Sequence, residues 1–423
     1  MALDLYSTFE SNVRVYCRDY PVEFATAAGS WMEDVDGTRY LDFLSGAGTL
    51  NYGHNEPAIV GAVVDYLKRN GIVHSLDMHT RAKTKFIGVF QDIILAPRRL
   101  RYKLQFPGPT GTNAVEAALK LARKVTGRTN VVTFSNGFHG MTLGALAATA
   151  NPAKRRGAGV QLCGTTFMPY DQFLGERVDT MEMIAPMLAQ AGSGVEPPAA
   201  ILVEMVQGEG GLNAASAKWI RALAALARDV GALLVVDDIQ AGNGRTGTFF
   251  SFEPFDIYPD IVVLSKSLSG FGTPFSLVLL RPEHDAWEPG EHNGTFRGNN
   301  LAFVGATAAI EAYWTDDVFA EQVADKARRL RDRLGRIADR MEPGLARVKG
   351  RGLLSGIAFA DPDMAARLVR RLFRANIIAE TCGSGGQVLK LLPPLTISRA
   401  DLDLCLDEIE AAVVAHAKEP VLS

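Results

Sequence analysis

Between residues 130 and 280 the chain alternates short runs of Val, Ile and Leu with longer stretches of helical periodicity. That alternation limits the fold more than any other feature. The apolar runs are NVVTF (130–134), AAILVEMV (199–206), GALLVVDD (231–238), DIVVLSK (260–266) and FSLVLL (275–280). Strands apolar on both faces belong in a sheet covered on both sides, as parallel sheets are. NAVEAALKLARKVTG (113–127) and AKWIRALAALARDVG (217–231) read as helices, each ending at a glycine suited to a C-cap. The order predicts a doubly wound, mostly parallel α/β layer.

The two ends of the chain read differently. DVFAEQVADKARRLRDRLGRIADRM (317–341) predicts a long amphipathic helix, and RGLLSGIAFA (351–360) a strand. DMAARLVRRLFRANI (363–377) and RADLDLCLDEIEAAVVAHAKE (399–419) predict two more helices, making a smaller α+β unit. GSWMEDVDGTRYLDFL (29–44) predicts a hairpin turning at Asp36-Gly37, packed with that unit. We therefore expect residues 71–315 to form the large domain, with 1–70 and 316–423 forming the small one.

A chain of 423 residues that is 47% hydrophobic can bury a large core without disulfide staples. Its formal net charge of -3 supplies no basic field for nucleic acid. Cys17, Cys163, Cys382 and Cys405 show no CxxC spacing, which disfavours zinc and suits free thiols in a reducing compartment. The N-terminus lacks the basic start and apolar run of a signal peptide, and no apolar run is long enough for a bilayer. The expectation is a cytoplasmic protein with no nucleic-acid or membrane partner and no metal.

Lys266 ends an apolar strand and is followed by Ser and Gly, so it should stand at the carboxyl edge of the sheet, where open α/β sheets bind ligands. A partly desolvated lysine there has a lowered pKa and can bond an aldehyde; a lone strand-end lysine is more often exposed. Asp237 closes GALLVVDD at the same edge and can hold a protonated pyridine nitrogen, or simply cap a turn. Gln240, three residues on, can donate to a phenolic oxygen or be an ordinary polar loop residue. Gly108, Thr110, Gly111 and Thr112 lead into a helix whose free N–H groups suit a phosphate. The spacing is not that of a nucleotide-binding P-loop. Phe138 and His139 follow the strand NVVTF, where an aromatic can stack on a ring or fill the core.

Taken in order, EMVQGEGG (204–211), VVDDIQAGNGRTG (235–247), LSKSLSGFGTP (264–274) and HNGTFRGNN (292–300) resemble the class III, or ω-amino, aminotransferases of pyridoxal-phosphate (PLP) fold type I. The resemblance runs from DGTRYLDFLSGAGTLNYGH to KLLPPLTIS. It implies PLP as cofactor, with Lys266 as the lysine bound to it and Asp237 at its ring nitrogen. It further implies Gln240 at the ring oxygen, Phe138 stacked on the ring, and Gly111 and Thr112 at the phosphate. Thr295 is implied to reach the phosphate of a neighbouring subunit, making a homodimer the minimum active unit. Glu209 is implied to pair with the cation that anchors a substrate carboxylate. Three positions depart from the pattern: Asp238 stands for the usual Glu, Met141 for one arginine, and Lys390 for another. The missing arginines speak against ornithine-type or 4-aminobutyrate donors, because a lysine binds a carboxylate without a fixed fork.

FESNVRVYCRDYPVEF, FLSGAGTLNYGHNEP and FPGPTGTNAVEAALKLARKVTGR are similar to the subgroup that moves the amine of L-glutamate to the terminal carbon of L-aspartate 4-semialdehyde. Glu209 and Lys390 are then expected to pair in one half of the cycle and part in the other. Alternatives within the cofactor class are another ω-amino acid transaminase, of 4-aminobutyrate or acetylornithine type, and an aminomutase like that acting on glutamate-1-semialdehyde. A non-enzymatic binding protein on this fold is free to lose Lys266 or Asp237, and both are present.

Overall fold

The computed structural model describes residues 2–417. Its centre is a seven-stranded sheet in the order Lys103–Gln105, Leu277–Leu280, Ile261–Leu264, Leu233–Asp237, Pro198–Val203, Asn130–Phe134, Thr165–Met168. The last five strands run parallel. Alternate side chains of these strands point to opposite faces, and both faces are buried. Val131, Leu202, Val235 and Val263 pack on one side with Ala118 and Leu121 of the helix Gly111–Thr126. Val132, Val203, Val236 and Val262 pack on the other with Trp219 and Leu223 of the helix Ala217–Asp229. Each such side chain contributes roughly 1.5–3 kcal/mol through burial.

Two strand expectations need correction. Leu277–Leu280, in the FSLVLL run, lies antiparallel to Ile261–Leu264 and to Lys103–Gln105. Apolarity reports burial on two faces but not direction. The intervening segment contains only the single short helical turn Lys266–Ser269, too little for the crossover a parallel partner needs. AAILVEMV also divides. Its strand stops at Val203, and Val206–Gln207 pairs instead with Asn213–Ala214 in a small hairpin that carries Glu209 at its tip.

The N-terminal hairpin forms between Trp31–Asp34 and Arg39–Asp42, with Gly37 at φ +83 in its turn. Asp34 Oδ1 accepts the amides of Asp36 and Thr38 at 3.0 and 2.8 Å and fixes that turn. A C-terminal strand, Ile377–Ile378, adds to the hairpin in parallel. The helix expected over 363–377 therefore ends at Arg374. A four-stranded sheet holds Ala346–Arg351, Leu354–Phe359, Val388–Leu391 and Glu380–Cys382, packed against helices Val318–Ala338 and Pro362–Arg374, on which the helix Arg399–Ala417 rests in turn. Residues 418 and 419 of the expected final helix lie outside the described residues. Fully buried Arg245 joins distant segments, donating to Asn51 Oδ1 at 2.6 Å and to the carbonyls of Leu353 and Pro393.

Candidate active site

The carboxyl ends of the parallel strands open onto a cavity of about 170 Å³. Gly111, Thr112, Phe138, Glu209, Asp237, Gln240 and Lys266 all line it. Sequence separations of up to 155 residues are thus closed by one sheet edge. Gly108 and Thr110 stand behind this lining: Gly108 O accepts from Ser276 Oγ at 2.8 Å, and Thr110 N donates to Asn113 Oδ1 at 3.2 Å.

Lys266 follows the strand Ile261–Leu264 and adopts φ +52, a left-handed conformation costly for a side chain with a Cβ. Its Nζ donates to Ala47 O at 2.8 Å. That carbonyl comes from a run of left-handed residues, Ser45 through Gly48, in the SGAG segment. Burial is the main force lowering the Lys266 pKa from 10.5 to about 8, against the carboxylates of Glu209, Glu380 and Asp237 and with the help of Lys390. About a tenth of the amine is then uncharged near pH 7, far more than for a free lysine.

Asp237 is the last residue of its strand and is buried. Its Oδ2 lies 2.7 Å from Nδ1 of His139, and Oδ1 accepts the Ile239 amide at 3.2 Å. Burial opposes a charged His139 ring, but the hydrogen bond and charge of Asp237 outweigh it and raise the pKa above 6.5. Glu204 adds negative charge nearby and accepts the Phe138 amide at 3.1 Å. Burial pushes its own pKa up to about 7. Asp238 turns away from the cavity and accepts the Ser251 amide at 3.0 Å.

Thr112 shares a hydrogen bond with Thr142 at 2.7 Å, and Thr142 donates to Glu116 at 2.6 Å. The hydroxyl beside the helix N-terminus is thereby oriented. A Cβ on Gly111 would come within 2.8 Å of Ile239 Cδ1, so a larger residue there would have to displace the Ile239 side chain at the cavity wall. Gln240 Nε2 donates to Ala47 O at 3.0 Å and to Glu209 Oε1 at 3.3 Å. Its Oε1 is buried with no partner.

Glu209 Oε1 meets Lys390 Nζ at 2.6 Å, and Lys390 is fully buried. Glu380 Oε1 makes an ion-pair contact with the same nitrogen at 3.0 Å, without the alignment of a hydrogen bond. Tyr16 donates to Glu380 Oε2 at 3.3 Å. Burial opposes the Lys390 charge, but the two carboxylates overcome it and raise its pKa. Met141 and Thr295 are exposed, and neither lines the cavity.

Sequence reasoning left His139 without a role and passed over Glu204, Glu380, Tyr16 and the Ala47 carbonyl. Glu380 had one signal: an acid set in the apolar run NIIAETC, where an unpaired charge is expensive.

The residues suit PLP. An amine of lowered pKa fits its aldehyde, a buried carboxylate its ring nitrogen, a helix N-terminus its phosphate, and the orphaned Gln240 amide leaves polar capacity at the cavity wall. The family model described as aminotransferase class-III matches residues 15–413. The chain belongs to the class III aminotransferases. Over 420 residues it is 53% identical to the diaminobutyrate–2-oxoglutarate transaminase of Bordetella parapertussis, covering 99% of this chain and 97% of the relative. The Vibrio cholerae transaminase of the same name is 53% identical over 412 residues, 97% of this chain and 100% of its own. Among solved structures, an ornithine aminotransferase from Toxoplasma gondii with partial occupancy of PLP at its active site superposes with a TM-score of 0.84. It is 26% identical, covering 98% of this chain and 93% of that one. This aminotransferase thus has PLP fold type I and uses PLP as cofactor.

Proposed function

We propose that this aminotransferase exchanges an amino group between L-glutamate and L-aspartate 4-semialdehyde, giving 2-oxoglutarate and L-2,4-diaminobutyrate. The observation that carries the reading is 53% identity, over essentially the whole chain, to relatives named for diaminobutyrate–2-oxoglutarate transamination.

PLP bound in this cavity supplies an aldehyde that takes up the amine and a ring that stores the electron pair of the broken C–H bond. In our reading Lys266 holds the aldehyde covalently. Its freed Nζ would move the proton at the amine-bearing carbon, Cα of L-glutamate or the terminal carbon of L-2,4-diaminobutyrate, a task suited to an amine whose burial lowers its pKa to about 8. Asp237, held between His139 and the Ile239 amide, keeps the ring nitrogen protonated. Phe138 covers one ring face, Gln240 turns its amide to the ring oxygen, and Gly111 and Thr112 bind phosphate. Thr295, exposed and away from this cavity, is assigned to the phosphate of a second copy, which makes a homodimer the smallest complete enzyme. No helix among the described residues is long and apolar enough to cross a membrane. We assign the enzyme to the cytoplasm, where its four free cysteines would stay reduced.

A donor and acceptor scan with the purified holoenzyme tests the reading. L-Glutamate with L-aspartate 4-semialdehyde should exceed every other pair and release 2-oxoglutarate. Dominance of ornithine-type or 4-aminobutyrate donors would refute the substrates, and isomerisation without 2-oxoglutarate would point to an aminomutase.

A further inference from the structure

Lys390 is shared by two carboxylates. Its Nζ lies 2.6 Å from Glu209 Oε1 and 3.0 Å from Glu380 Oε1, with its side chain fully buried. Glu380 is the direct cross-strand partner of Lys390, so the backbone register fixes that contact. Glu209 comes from the tip of the 206–214 hairpin and lines the cavity beside Lys266. The formal charges of these three groups sum to one negative, and Lys266, the other cation acting on Glu209, is bonded to the aldehyde in the holoenzyme proposed above. Had Glu209 the lysine to itself, the pair would be neutral; with Glu380 also drawing on that cation, Glu209 keeps unbalanced charge. A desolvated excess charge favours whatever counter-charge can reach it. Glu209 is the member that can be reached, since its side chain is 35% exposed against 9% for Glu380.

The substrate whose terminal amine is exchanged in the reaction proposed above also carries an α-ammonium. We infer that Glu209 binds this α-ammonium, and that Glu380, acting through Lys390, is a positioning residue that selects diamino acids over ω-amino acids lacking that group. The inference rests on the substrate reading above.

The test compares L-2,4-diaminobutyrate with 4-aminobutyrate, which differ only by the α-ammonium. Single-turnover amine transfer to the holoenzyme is measured for wild type, Glu380→Gln, Glu380→Asp and Glu209→Gln. Wild type should prefer diaminobutyrate. Glu380→Gln should lose roughly tenfold of that preference, the scale of one charge-assisted contact, through the concentration dependence rather than the limiting rate. The apparent KM for L-glutamate, whose carboxylate meets a less negative cluster, should stay level or fall. Glu380→Asp should retain most of the preference. Glu209→Gln should lose it too, and carries the test if Glu380→Gln does not fold. An equal fall for both amines, or an unchanged preference in Glu380→Gln and Glu209→Gln, overturns the inference. Failure of the wild type to turn over diaminobutyrate and glutamate at all would instead defeat the substrate reading.

Discussion

Asp237 meets His139 at 2.7 Å and Lys390 meets Glu209 at 2.6 Å, yet the two buried ion pairs are assembled in different ways. The first joins the strand end at Asp237 to the residues just beyond the strand Asn130–Phe134, two places along the same sheet, and both groups hang from that one sheet. The second draws on a loop hairpin, on two strands of the C-terminal sheet and, through Tyr16, on the N-terminal segment. Asp237 has every partner it needs at one edge, whereas Lys390 has two competing acids. The fixed pair suits a cofactor that stays in place. The shared lysine suits a cavity that must receive two substrates in turn, one offering its α-amine and the other its terminal amine.

This contrast predicts how variants distribute their damage. Asp237→Asn should give the largest effect, slowing both half-reactions alike by roughly 10²–10³-fold, the usual cost of losing one pre-oriented charged group. Single-turnover rates with L-glutamate and with L-2,4-diaminobutyrate check it, and a strongly unequal fall would break the contrast. Lys390→Met should act unequally, harming glutamate more because its side-chain carboxylate loses the nearest cation. It should also destabilise the fold by on the order of 3 kcal/mol in denaturant titration, since Glu380 is left buried without its counter-charge. Equal effects on the two substrates would show that the lysine cluster is merely structural.

What was legible in the sequence follows the same division. Lys266, Asp237 and Phe138 sit at or just after strand ends, and the strand pattern alone brings them to one edge; all three line the cavity. Gly111 and Thr112 lie there because a helix start follows the turn. Strand direction at Leu277–Leu280 was not legible, because apolar runs look alike in either sense. Nor were the strands Lys103–Gln105 and Thr165–Met168, short and partly exposed at the two sheet edges. The Glu380 contact depends on a strand register that sets it opposite Lys390, and the Ala47 contact on a backbone carbonyl, which no residue type announces. Sequence spacing marks groups fixed by their own element; it is nearly silent on groups that matter through a partner from elsewhere.

Two interior lysines flank the site, and the account rests on their being unlike: burial lowers the Lys266 pKa to about 8, while Glu209 and Glu380 hold Lys390 as a cation. Borohydride reduction of the holoenzyme followed by peptide mass mapping reads the difference directly. The cofactor should be trapped on the peptide containing Lys266 and on no other, and Lys266→Ala should abolish the label. Cofactor recovered on Lys390, or undiminished labelling of Lys266→Ala, would contradict the account.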